Sequence, residues 1–474
     1  MVKEKSQSAG FDDRKKEKEF LDREREQSPD LFERALFQED DSVLAKVGID
    51  AVFGERIPGH IKLYPEDFIV EEVSKDGVLH PIDGGPYEIP TVSPEEEVRT
   101  LWADLVKMGI DSFEAVAELS HSLEIDRAKI GIAGIKDKHA LTAQWMSFRG
   151  VRPEALRGAS APNFFLKNIS VGKGALQIGD LLGNRFTIFI RTESPVSGEW
   201  LSEKLADIEE NGFWNFFYLQ RFGTPRLLSH KLGLLILQGR FEDAVKMSVL
   251  ESSEYEIPYF RNFHAGMLEQ WGDWKTLLKA LEVLSYSFKT ERKMIAYLVE
   301  HPDDFAGALN TVSEQVKLWV YAYASFLFNV TLSRLIVRGE EVPYSLPLAL
   351  SGNSRTHDIY KEFFDEHGIR PPFHALKNFP YVQRMEKEVE VLKKVKLYGW
   401  KIGEGGVILD FFLEKGSYAT TFLSHLFVLS SGSSALAGIL SDEVDSKALL
   451  GTGEIASLKE NEFRELFEMR EKKL

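Results

Sequence analysis

KIGIAGIKDKHALTAQWMSFRG, residues Lys129–Gly150, is the stretch from which the fold of this chain is read. Ile130, Ile132 and Ala133 make a short apolar strand that breaks at Gly134. Lys136, Asp137 and Lys138 then interrupt with charge, and apolar residues resume at Ala140, so a strand, a tight loop and a further element follow one another. Cations on both sides of Asp137 favour its ionised form if they lie within a few ångström, and that is the form a carboxylate nucleophile needs. The same residues equally suit a turn aspartate in a solvated charged loop, and spacing alone does not choose between the two.

Outward from this stretch, IPGHIKLYPEDFIVEEV, beginning at Ile57, offers a Pro-Gly turn and then strand material at Ile61, Leu63, Phe68, Val70 and Val73. Residues 81–95 are rich in Pro and Gly and read as a loop. Helical apolar spacing is expected over about Ser93–Met108 and again over Ser112–Leu123. Residues 162–191 look β-rich, with Phe186, Ile188 and Ile190 on one face. From Trp214 to about Val337 the pattern is mainly helical, and strands return near Val395–Leu413. The Gly403–Gly406 cluster reads as a turn, because it lacks the Lys-Ser or Lys-Thr of a phosphate loop. The apolar run from Leu318 to Val337 is interrupted by Ser325, Asn329, Thr331 and Arg334, so a buried helix is expected there and not a membrane span.

The chain has 474 residues, ample for several domains. It contains no Cys, which removes thiolate metal centres, redox pairs and cysteine nucleophiles. Its 11 His form no H-E-x-x-H or H-x-H arrangement, so no metal site is expected. The first 27 residues alternate charges and carry no apolar export signal, which fits a cytoplasmic protein. Residues 1 to about 45 as a whole read as a solvated helix or a mobile arm. The net charge of −16 argues against indiscriminate coating of nucleic acid. Between Gly131 and Arg191, however, nine basic residues face only three acidic ones. Arg221, Arg226, Lys231 and Arg240 extend that sign, with Phe216, Phe217 and Phe222 interleaved. Cations for phosphates and aromatic planes for bases are what recognition of an unstacked nucleotide requires.

These residues carry a resemblance. Gly134-Ile135-Lys136-Asp137-Lys138-His139-Ala140, with Thr142 and Gln144, resembles the G-x-K-D-x-x-A-x-T-x-Q signature of the TruD family of tRNA pseudouridine synthases. Upstream, Asp67-Phe68-Ile69-Val70-Glu71-Glu72 resembles the family's D-F-x-V-x-E strand, with Lys62 where the family has a basic residue. Gly183-Asn184-Arg185-Phe186 resembles its G-N-x-F strand, and Asn215 through Gln220-Arg221-Phe222-Gly223 its N-x-F-x-x-Q-R-F-G segment. Ser325-x-x-Phe328-Asn329 and Lys415-Gly416-Ser417-Tyr418-Ala419-Thr420-Thr421 fit two later motifs. Six ordered matches span roughly residues 48–430. The chain departs from the pattern at Tyr218, where the family often has Gly, at Glu414, where Pro is usual, and at Ser424-His425, where Arg-Glu is common.

The resemblance implies an α+β fold, a pseudouridine synthase core with a mixed sheet flanked by helices, plus a mainly helical TruD-type insertion domain. Residues 1–47 would be a charged N-terminal arm, 48–223 and 385–430 the two parts of the catalytic core, 224–384 the insertion and 431–474 an acidic tail. It implies a tRNA partner, no membrane and no protein partner. The activity implied is isomerisation of a tRNA uridine, position 13 being the family's usual target, and it needs no cofactor because reactant and product contain the same atoms. Asp137 would be the catalytic carboxylate. Phe186 would stack on the flipped uracil, Asn184 would position its polar edge, and Lys136 would hold the carboxylate or a phosphate. Lys62, Gln220 and Arg221 would contact RNA or brace the site. A non-catalytic RNA-binding protein that has kept the fold is the alternative reading, and a carboxylate glycosidase acting on free nucleosides is a third.

Overall fold

The computed structural model describes residues 2–33, 37–50, 52–83, 90, 100–156, 159–348, 350, 354–382, 387–432 and 438–471. The chain divides into two compact units: residues 55–214 with 392–474, and residues 1–54 with 215–391.

The first unit is built on a ten-stranded mixed sheet. Its strands are β1 (Ile57–Ile61), β2 (Phe68–Ser74), β3 (Thr100–Met108), β4 (Ile130–Ile132), β5 (Leu141–Arg149), β6 (Phe164–Gly172), β7 (Leu181–Arg191), β8 (Lys396–Gly403), β9 (Gly406–Glu414) and β10 (Phe427–Ser431). The main path runs β8-β9-β7-β2-β5-β3-β6; β4 adds to β5, and β1 joins β10 to β7. β2 is the hinge of the topology, antiparallel to β7 with Val70 opposite Phe186 and Glu72 opposite Asn184, and parallel to β5 with Val70 opposite Thr142. Three of the quoted motifs thus lie on adjacent strands. β8 and β9 form a hairpin closed by Glu404-Gly405 between paired Gly403 and Gly406, with Gly405 at φ 76°, so the glycine cluster is the expected turn.

Alternation along each strand sorts side chains to two faces. Phe68, Val70, Phe186, Ile188 and Phe411 pack on one face under α2 (Gly198–Asn211) and the short helix Ala419–Leu423. Farther along the sheet, Leu101, Leu105 and Phe148 pack under α1 (Ser112–Ser122). α1 starts where the sequence places it because Asp111 and Glu114 make a capping box at its first turn. On the opposite face Ile69, Val106, Leu141 and Phe165 pack against Ile455, Leu458 and Phe463 of the C-terminal stretch. Lys447 reaches buried Glu71 there at 2.7 Å, and Lys459 lies 3.6 Å from Glu66.

One element corrects the sequence reading. Thr100–Met108, expected within a helix over about 93–108, is strand β3, while residues 91–99 lie outside the described residues. β3 lies between β5 and β6 and is buried on both faces, so its apolar residues do not alternate with polar ones, and period alone cannot separate such a strand from a buried helix. The loop expected over 81–95 also lies mostly outside the described residues.

The second unit is mainly helical. Its longest buried element, Ser313–Arg338, covers the run from Leu318 and sinks Val316, Trp319, Val320, Tyr323, Leu327 and Phe328 into the unit's core. It packs on the helix Ser229–Leu237 at Gly233, where a Cβ would lie 2.1 Å from the Trp319 carbonyl oxygen. Val2–Gln27 is helical, as one of the two readings of the arm has it, yet it is docked and not merely solvated. Buried Glu17 accepts hydrogen bonds from the Tyr286 amide at 2.6 Å and the Ser287 amide at 3.1 Å. Val43, Leu44, Val47 and Ile49 are buried as well.

Candidate active site

The loop from Gly134 to Asp137 has no regular structure of its own, so its polar groups must be satisfied from outside. The Gln144 side-chain amide donates to the Gly134 carbonyl at 3.2 Å. The Ser112 hydroxyl, at the start of α1, accepts from the Lys136 amide at 2.9 Å and donates to the Gln144 side-chain oxygen at 2.7 Å. Lys107, on β3, donates to the carbonyls of Asp137 at 2.7 Å, Ile110 at 2.8 Å and Lys136 at 3.4 Å. The loop is therefore held at Gly134, Lys136 and Asp137 by β3, β5 and α1.

Its two charged side chains part company. Lys136 turns inward, 5 % exposed, and its ammonium pairs with the fully buried Glu72 of β2, whose other oxygen accepts from the Trp145 amide at 3.2 Å. Gly134 leaves room for this pair, since a Cβ there would come within 2.4 Å of the ammonium and 2.9 Å of the carboxylate. Asp137 turns outward. Its carboxylate is about half exposed and accepts from Lys62 at 3.0 Å. Lys62 itself sits at φ 62°, a left-handed conformation that a lysine adopts only when its surroundings impose it. Its ammonium lies 4.1 Å from the centre of the Phe68 ring. Phe68 in turn meets Phe186 edge-on at 6.1 Å.

The residues anticipated from sequence distribute as follows. Asp137, Lys136, Lys62, Asn184 and Phe186 all belong to the sheet unit, linked through the Lys62–Phe68–Phe186 contacts and the Glu72–Asn184 pairing. Lys136, expected to hold the carboxylate or a phosphate, is engaged with Glu72, and the Asp137 carboxylate is held by Lys62. Phe186 is 7 % exposed, and one of its faces is stacked on Phe411 at 5.3 Å and 19°. A base can therefore meet only its remaining surface. Asn184 is half-buried, and its side-chain oxygen is sheltered from water with no hydrogen-bond partner among the described residues, an open acceptor of the kind that nucleotide recognition uses.

Gln220 and Arg221 belong to the helical unit. The Arg221 guanidinium donates to the Ser325 hydroxyl at 3.1 Å. Asn329 clasps Phe217, accepting from its amide at 2.9 Å and donating to its carbonyl at 2.8 Å. The N-x-F-x-x-Q-R-F-G and S-x-x-F-N segments, more than a hundred residues apart, thus interlock as an internal brace. The departure at Tyr218 has a physical account: its hydroxyl donates to Glu39 at 2.6 Å, and both are buried. His425 likewise has a defined place in the sheet unit. Its Nε2 accepts from the Trp214 amide at 3.0 Å and its Nδ1 donates to the Thr421 carbonyl at 2.8 Å, a neutral tautomer that burial favours by pushing its pKa down to about 4.

Two contributors escaped the sequence reading. Glu72 enters from the sequence only as the last residue of the D-F-x-V-x-E strand, with no role in the site, and that acidic motif position is the signal that could have marked it. Lys107 was assigned to a helical stretch, where a lysine would face solvent. Burial pushes its pKa down to about 7, against the pull of Asp137 and Asp111.

A mixed sheet that presents a held carboxylate loop beside a Gly-Asn strand, with a helical unit inserted between its parts, defines an α+β architecture. The family model described as tRNA pseudouridine synthase D (TruD) matches residues 50–347. A Methanopyrus kandleri protein called probable tRNA pseudouridine synthase D is 30% identical over 342 residues, covering 68% of this chain and 84% of the relative. An Archaeoglobus fulgidus protein of the same description is 33% identical over 293 residues, covering 61% and 66%. The crystal structure of a TruD chain from Methanosarcina mazei superimposes with a TM-score of 0.61 at 24% identity, covering 81% of this chain and 97% of that one, and so shares its fold. The chain belongs to the TruD family of tRNA pseudouridine synthases, which are isomerases.

Proposed function

We propose that this chain converts a uridine of tRNA, at position 13, to pseudouridine, with Asp137 as the catalytic carboxylate acting on a base drawn out of its stack. The observation that carries the reading is the Asp137 carboxylate itself, outward-facing on a loop whose Gly134, Lys136 and Asp137 backbone is fastened from β3, β5 and α1.

The reaction breaks the N1–C1′ bond of the uridine, turns the base and joins C5 to C1′; the hydrogen on C5 leaves and a proton ends on N1. Attack of the carboxylate on the sugar, attack on the base and removal of a sugar proton all require an ionised oxygen poised at the nucleotide, and a pocket that keeps the detached base from diffusing away. Lys62, donating to the carboxylate at 3.0 Å, fixes its direction. Its ammonium lies over the Phe68 ring, which meets Phe186 edge-on, so the carboxylate is tied to the Gly-Asn strand through two aromatic contacts. The open oxygen of Asn184 suits the N3–H of uracil as hydrogen-bond acceptor. Lys136 serves from below, through Glu72, as part of the loop's anchorage.

Tritium release from tRNA carrying 5-tritiated uridine tests the reading. Asp137→Asn should abolish release while the melting temperature stays at the native value. Full turnover by that variant would remove Asp137 from the chemistry, and native tRNA affinity with no product from either protein would favour a binding protein that has kept the fold.

A further inference from the structure

The proposed role of Asp137 raises the question of what holds that residue in register, and the following inference rests on that role. Lys107 is fully buried, on a strand in the middle of the sheet, and its ammonium is met by three backbone carbonyls, those of Asp137 (2.7 Å), Ile110 (2.8 Å) and Lys136 (3.4 Å). A lysine ammonium has three N–H donors, so the three acceptors saturate it. Two of the carbonyls belong to the carboxylate-bearing loop, and the third belongs to the turn that leads into α1. The other backbone anchors of the loop, Ser112 and Gln144, are neutral and hold Gly134 and the Lys136 amide. Only Lys107 holds the peptide of Asp137 itself among the described residues.

We propose that Lys107 is a positioning residue for catalysis: it sets the direction in which the Asp137 side chain leaves the loop by fastening the carbonyl of that residue and of its predecessor to β3.

This role has a signature that ordinary core packing lacks. The charged groups that face Lys107 are Asp111 at the start of α1, which with Asp137 favours its proton, and Lys136, which opposes it. Its cross-strand neighbours, Thr142 of β5 and Phe164 of β6, are uncharged. With burial dominating, the proton leaves near pH 7. A neutral amine has two donors for three carbonyls, so one of the three contacts is lost on the alkaline side and the hold on the loop weakens.

The experiment measures tritium release by the full-length chain at saturating and limiting tRNA between pH 5.5 and 9. The native enzyme should show a kcat that falls on the alkaline side with a midpoint near 7, with KM for tRNA little changed. Lys107→Met should lose roughly 100-fold in kcat, the scale of a misplaced reacting group, at near-native KM, and its residual rate should lack the alkaline limb. Lys107→Arg, whose guanidinium stays protonated throughout, should recover part of kcat and also lack the limb. A Lys107→Met chain with native kcat overturns the proposal, as does a native profile flat to pH 9. The second criterion applies even if the Met variant fails to fold. Asp137→Asn run in parallel separates the two claims: turnover by that variant sinks the role of Asp137, whereas a dead Asp137→Asn beside a fully active Lys107→Met sinks only that of Lys107.

Discussion

Replacing Glu72 by Gln leaves the Lys136 ammonium in the interior with no counter-charge. Both partners are nearly or wholly inaccessible to water, at 0 % for Glu72 and 5 % for Lys136, so solvent cannot take the place of the lost carboxylate. Removing one member of a buried pair costs about 3–5 kcal/mol, far more than the pair itself contributes relative to an apolar replacement. For a domain the size of the sheet unit, each kcal/mol lowers the melting temperature by roughly 2–4 °C, so a fall of roughly 6–20 °C is expected. Lys136→Met should be similarly costly, because it strands Glu72. The double variant Glu72→Gln, Lys136→Met should recover much of the loss, since neither buried charge then lacks a partner. Thermal unfolding of the four proteins, followed by circular dichroism at one pH, measures the cycle. A Glu72→Gln chain that melts within about 2 °C of native, less than 1 kcal/mol on the same scale, refutes the reasoning. So does a double variant as unstable as the sum of the two singles. Turnover should follow the cycle as well, because Lys136 immediately precedes Asp137.

At the surface of the same loop the expectation reverses. Lys62→Met should change stability by less than about 1 kcal/mol, since its partner carboxylate is about half exposed. It should nonetheless lower kcat by roughly 10- to 100-fold, the worth of one charged hydrogen bond; native turnover would remove Lys62 from the site. His425 supplies a pH dependence of folding. Its folded pKa, about 4, lies below the ordinary 6.5, so the unfolded chain takes up a proton that the folded chain refuses between those values. The contribution is therefore intact above about pH 6.5 and is lost as the pH falls toward 4, for a total of about 3 kcal/mol. Urea unfolding across this range should show a shallower pH slope for His425→Gln than for the native chain, and equal slopes would count against the buried neutral imidazole.

Much of the architecture was legible because local chemistry and global placement agree. The helical apolar spacing of α1, the glycine turn between β8 and β9 and the period-two run of Phe186, Ile188 and Ile190 each announce their element. The motif residues turn out to be neighbours: Asp67 at the head of β2 meets Arg191 at the end of β7 in a buried two-toothed ion pair at 2.7 and 2.9 Å. What could not be read were matters of partnership. Nothing in the order Gly-Ile-Lys-Asp-Lys says that Lys136 points to Glu72 and Asp137 to Lys62, since this depends on which strand lies alongside. β3 escaped because a strand covered on both faces loses its alternation, and Lys107 escaped with it. The arm and the final stretch look solvated by composition, yet a few residues in each, Glu17, Val43, Leu44, Ile455, Leu458 and Phe463, carry the docking. Sparse anchors of that kind barely alter composition.

The docking of the C-terminal stretch bears on how the protein is made. Arg191 donates to the carbonyls of Leu440 at 2.6 Å and Asp442 at 3.0 Å, while Lys447 supplies the counter-ion of Glu71. All of these partners leave the ribosome after every strand of the sheet that they complete. A nascent chain therefore carries β2 with Glu71 lacking its Lys447 counter-ion and one sheet face uncovered until synthesis has passed Phe463, so the strand bearing Glu72 reaches its finished surroundings only after the residues that cover it have been made.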